Sequence, residues 1–205
     1  RGDRQSAWDF ARWLSAILRA QGEDIETTER DGAVTVIQTG WRVVRELALG
    51  PHGESVTGVD FCYVEEGFPP KGKAEFFAAV QEFNQRHPTR ALAILYHVGE
   101  SFGDKSLESA VRWVHQAAEL GAHRLGHAIA LGVDPEVYGE HERSESVAER
   151  LDQIDYDLAH AEALRARGVR VDENALFRER DTLRVRRPDE PIVHRYDAAR
   201  LDEVR

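Results

Sequence analysis

Methionine does not occur in this chain, not even at position 1, and cysteine occurs once, at Cys62. The missing initiator predicts that these 205 residues are an internal piece of a longer protein. A single thiol excludes an internal disulfide and suits a cytoplasmic setting. No apolar stretch reaches the roughly 20 residues that a membrane-spanning helix needs, and the first residues lack the apolar core of a signal peptide. A basic excess is also lacking. The formal net charge of -10 argues against nucleic acid or an anionic membrane as the main partner, because both repel an acidic surface. Arg178 to Arg187 is the one local exception, and it reads as a solvated charged face rather than a phosphate contact.

What is present is a globular composition, 41% hydrophobic, enough for one substantial core or for part of a larger barrel. Trp8, Ala11, Leu14, Ile17 and Leu18 recur at helical spacing over 7–20. Ala33 to Thr39 reads as a strand and Trp41 to Leu49 as a helix that stops at Gly50-Pro51. Val56 to Tyr63 is an apolar, β-branched run. Ala74 to Arg86 follows, with Phe76, Phe77, Val80 and Phe83 on one helical face. Ala91 to Val98 is almost wholly apolar, as in a strand of a parallel sheet buried on both faces. Ser106 to Leu120 repeats the helical pattern, Gly121 stops it, and Arg124 to Leu131 resumes a strand-like run.

This rhythm predicts an α/β protein built from successive βα units with a parallel sheet. The reading divides the chain into 1–133, the βα units, and 134–205, a mostly helical, charged insertion or continuation.

Three of the predicted strand ends carry titratable side chains: Asp60, then His97 with Glu100, then His127. In parallel α/β proteins such ends share one rim, where functional groups gather. His97 suits a metal ligand, with its second ring nitrogen fixed by a neighbouring acceptor. The alternative is a buried histidine that only satisfies backbone groups. Glu100 lies in the turn after Gly99, where a pocket could hold its carboxyl as an acid; otherwise it is a solvent-facing loop residue. His127, one strand over, could act on a metal-bound water, and Asp60 could orient a histidine or contact substrate. The plainer readings are a lone histidine and a turn cap.

Together these segments resemble the adenosine deaminase family. Tyr-His-Val-Gly-Glu at 96–100 is similar to its His-Ala-Gly-Glu motif, Arg-Leu-Gly-His at 124–127 to its Arg-Ile-Gly-His motif, and Gly-Val-Asp-Phe at 58–61 to its Gly-x-Asp-Leu strand end. The resemblance covers 33–135. Within it, His-Ala-Ile-Ala-Leu-Gly-Val-Asp-Pro at 127–135 resembles the larger, divergent deaminases linked to bacterial antiviral defence.

The resemblance implies a portion of a (β/α)8 TIM barrel and zinc-dependent hydrolytic deamination of adenosine. His97 would be a zinc ligand, Glu100 the proton donor to the purine ring, and His127 the group that positions and deprotonates water. Asp60, Tyr63 and Gly99 would line the substrate. The partner implied is a purine nucleoside or nucleotide, and a homo-oligomer is compatible with the sequence.

Some family features are missing. The chain has no His-x-His and no Asp-Asp pair, Tyr63 stands where the family has a glycine, and Ala128 replaces the glycine after the histidine. Two other readings therefore stay open: a deaminase of another adenine compound (adenine, AMP or ATP), and a metal-free, deaminase-like scaffold.

Overall fold

The computed structural model describes residues 26–30, 33–37, 41–51, 53–62, 64–134 and 141–196. The helix expected over 7–20 lies outside the described residues. The chain divides into two compact units, Arg1–Val59 with Glu75–Ile94, and Asp60–Ala74 with Leu95–Arg205.

In the first unit, β1 (Glu26–Arg30) and β2 (Ala33–Ile37) form an antiparallel pair. The segment expected to open the parallel series thus belongs to a separate two-stranded sheet. Helices α1 (Trp41–Leu49) and α2 (Ala74–Arg86) follow the predicted boundaries. The α2 stripe is real: Phe77, Val80 and Phe83 are buried, as are Leu92, Ile94 and Ala48. Trp41 meets Phe76 and Phe83 edge-on, at 5.6 and 5.7 Å between ring centroids. Each such aromatic pair adds about 0.5–1.5 kcal/mol beyond its area. Asn84 closes the turn into the next strand. Its Nδ2 donates to the Leu92 carbonyl at 2.9 Å and its Oδ1 accepts from the Leu92 N–H at 2.7 Å.

A parallel three-stranded sheet runs in the order β3 (Gly58–Phe61), β4 (Ala93–Val98), β5 (Arg124–His127). The register sets His97 beside Gly126 and Val98 beside His127. Along β4, Ile94, Tyr96 and Val98 are buried, while Ala93, Leu95 and His97 are half-buried. Among the described residues, then, one face of this strand is covered and the other is partly open, where the sequence suggested two buried faces.

Helix α3 (Leu107–Glu119) joins β4 to β5. Ser106 caps it by accepting from the Ser109 N–H at 3.0 Å, and such a cap contributes about 1 kcal/mol. Leu107, Ala110, Val111, Val114 and Ala117 are its buried face, and Ala130 and Phe102 pack against its first turns.

Beyond Asp134 the expected helices are present: α4 (Val147–Ala159), α5 (Ala161–Ala166) and α6 (Glu173–Arg184). No sequence pattern marks the ribbon that frames them, in which β6 (His141–Ser146) pairs antiparallel with β7 (Pro191–Tyr196). Val147, Ile154, Leu176 and Leu183 make the local core. Arg150 forks onto Glu179, with Nε and Nη2 donating at 2.7 and 2.9 Å. Gln153 ties the ribbon to α3, donating to Glu145 and to the Ser109 hydroxyl, both at 2.8 Å. Among the described residues, no helix is long and apolar enough to cross a membrane.

Candidate active site

Asp60, His97 and His127 close three successive parallel strands, so the sheet itself delivers them to one rim. His97 Nε2 lies 3.4 Å from Asp60 Oδ1, and His127 Nε2 lies 3.2 Å from Glu100 Oε2. The two imidazoles stand edge-to-face with ring centroids 5.0 Å apart. All four side chains singled out at these strand ends therefore meet. They are neither sealed nor free: each histidine side chain is 35% exposed, so substrate or water can reach both rings.

Strand alternation alone does not produce this cluster. His127 is in register with Val98, which is fully buried and alternates with the half-buried His97. His127 instead has φ 66° and Ala128 φ 51°, two consecutive non-glycine residues in the left-handed region. That bend turns the His127 ring to the His97 side and ends the strand, so the run expected to continue to Leu131 becomes a short 3-10 turn at Ile129–Leu131. The turn is locked to β4, because Ala128 N–H donates to the Val98 carbonyl and Ala130 N–H to the Gly99 carbonyl, both at 2.9 Å.

Gly126 makes room for the paired rings, since a Cβ there would lie 2.7 Å from His97 Cδ2. A left-handed alanine costs about 1–2 kcal/mol, partly offset by the roughly 0.4–1 kcal/mol that glycine loses through a freer unfolded chain. Ala128→Gly is accordingly expected to stabilise the protein by about 0.5–1 kcal/mol. Thermal unfolding checks this, and a lower Tm would show that the bend stores no strain.

Glu65, which is not among the predicted site residues, is the post that holds the Glu100 turn. Its carboxylate accepts the N–H groups of Gly99, Glu100 and Ser101 at 3.0, 3.0 and 3.1 Å. Gly99, expected to line the substrate, has its N–H committed to Glu65. Lys105 backs this carboxylate at 3.6 Å, fully buried, with Asp104 Oδ1 at 2.6 Å and the Trp113 ring 4.1 Å away. Beside it, Ser101 donates to Glu66. That hydrogen bond, aided by the loop backbone, holds the Glu66 carboxyl below its ordinary range. Tyr63 lies outside the described residues.

Catalytic zinc takes about three protein ligands. The strand ends offer the right donor types, but among the described residues no trio that includes His97 brings its ligand atoms together. These residues therefore do not make a zinc site by themselves.

The basic stretch is partly paired within the chain. Arg180 faces Asp155 at 3.4 Å, Arg186 faces Glu190 at 2.7 Å, and Arg187 faces Asp189 at 3.9 Å. No family model, characterised protein or solved structure matches this chain.

Proposed function

We propose that this chain is the central part of a hydrolase of the (β/α)8-barrel class, whose site lies at the C-terminal ends of the strands. Within that class it is a purine aminohydrolase, acting on adenosine. The observation that carries the reading is the meeting of Asp60, His97, Glu100 and His127 at the ends of three consecutive parallel strands. The partly open face of β4 around His97 is the face that a closed barrel would turn inward.

Hydrolytic deamination replaces the amino group at purine C6 by oxygen, and ammonia leaves. It needs a group that takes a proton from the attacking water and one that gives a proton to the ring nitrogen beside that carbon. His127 fits the first role and Glu100 the second, and their 3.2 Å contact allows a proton to pass between them. Asp60 orients the His97 ring through the 3.4 Å contact. In the family reading zinc lowers the pKa of the water. His97 is the residue here suited to hold it, and its other ligands must come from outside the described residues.

The test is an assay for ammonia release from adenosine, with adenine, AMP and ATP beside it, by the product of the whole reading frame that contains this chain. Turnover of adenosine supports the reading, and turnover of another adenine compound moves the substrate. The lack of a converging trio at His97 favours one rival, a metal-free scaffold, and absence of both turnover and bound zinc would establish it. The 205-residue chain alone, loaded with zinc, is expected to show no adenosine deamination above a His97→Ala control. Measurable turnover by the chain would mean that the strand-end residues suffice.

A further inference from the structure

We propose that His115, Glu119 and His160 form a binding site for a divalent cation of the zinc class, tying α3 to the junction of α4 and α5. No residue of this site is shared with the strand-end cluster.

His115 and Glu119 are four residues apart, so they stand one turn above the other on α3. They occupy its exposed face, because Val111, Val114 and Ala117 take the buried one. His160 ends α4 and begins α5, and so reaches α3 from a second element. One ligand atom from each of the three lies within 4.8 Å of the others. Zinc bonds of about 2.0–2.2 Å put tetrahedral ligand atoms roughly 3.3 Å apart. The remaining approach needs only rotation of side chains that are 49%, 45% and 22% exposed.

The ring nitrogens are already prepared. His160 Nδ1 lies 2.8 Å from the Tyr156 carbonyl, which can only accept, so Nδ1 carries the hydrogen and Nε2 is the ligand atom. Metal-bound histidines are commonly fixed this way. Nε2 meets Glu119 Oε1 at 2.8 Å, a contact between two electron-rich atoms that requires a proton or a metal ion in between.

Tyr156 orients both rings. It stacks on His160 at 4.1 Å, and its hydroxyl lies 2.7 Å from His115 Nδ1. On binding, the ion displaces that hydroxyl from His115 Nδ1. Two imidazoles and one carboxylate suit zinc and its transition-metal neighbours, whereas calcium and magnesium prefer oxygen throughout. A fourth position remains for water.

The test titrates zinc chloride into the chelator-stripped chain by calorimetry, with Tm followed against zinc concentration, since an ion that binds only the folded state raises Tm. Wild type should bind an equivalent whose affinity falls at least tenfold in His115→Ala, His160→Ala and Glu119→Gln. His97→Ala should retain it. Circular dichroism confirms that the surface variants fold, and Glu119→Gln, which keeps side-chain size, stands in if either histidine variant does not. Tyr156→Phe keeps the stacking and frees His115 Nδ1, so it should bind at least as tightly as wild type. Unchanged zinc binding in the histidine variants, or no zinc-dependent rise in wild-type Tm, would overturn the site. A tenfold weakening in Tyr156→Phe would overturn this ligand set.

Discussion

Glu100→Gln in the proposed deaminase is expected to lower kcat by roughly 10²–10⁴-fold, the range for loss of a positioned general acid, with KM little changed. Glutamine keeps the size and hydrogen-bonding reach of the side chain but has no proton to give at neutral pH. The substitution does not threaten the fold. The Glu100 side chain is 54% exposed, and its turn is held through backbone N–H groups that any residue supplies. Steady-state kinetics on the product of the whole reading frame decide the point. A kcat within threefold of wild type would remove Glu100 from proton transfer and leave His127 as the only proton-handling group at the rim.

The second large effect is on stability. Glu65→Ala is expected to cost about 3–5 kcal/mol, the usual penalty for breaking a buried ion pair from one side. Three backbone donors lose their shared acceptor, and Lys105 loses a carboxylate 3.6 Å away. The lysine is 0% exposed, so water cannot replace that carboxylate in place. Asp104, the Ser101 carbonyl and the Trp113 face remain around the ammonium. Urea unfolding measures the loss. Removing both charges together, Glu65→Ala with Lys105→Met, should recover part of it, because the orphaned ammonium goes too. A loss below about 1 kcal/mol in the single variant would show that the loop rearranges to supply another acceptor.

How much of this was legible follows from the distances along the chain over which each signal acts. The α2 and α3 helices could be read because their apolar stripes are local, and the Ser106 cap sits beside the residues it serves. The strand-end cluster was legible as an order of residue types, since three apolar runs each finish in a polar group. Its geometry was not. The left-handed pair at His127 and Ala128 has no glycine to announce it, and alternation pointed His127 the other way. Glu65 and Lys105 act on residues some tens of positions away, so nothing near either marks the contact. The β6 strand, His-Glu-Arg-Ser-Glu-Ser, has no apolar alternation. It is a strand because Pro191–Tyr196 pairs with it, not because of its own propensities.

That ribbon has a further consequence. His141 and Tyr196 are partners across it, so the chain leaves and returns at neighbouring points. Cross-strand partners of this kind sit only about 5 Å apart. What lies between them is nevertheless fastened back to α3, by Gln153 to Ser109 and by Glu149 and Asp152 to Arg112, so exchanging it for a tight turn would leave the buried Arg112 guanidinium without its carboxylates.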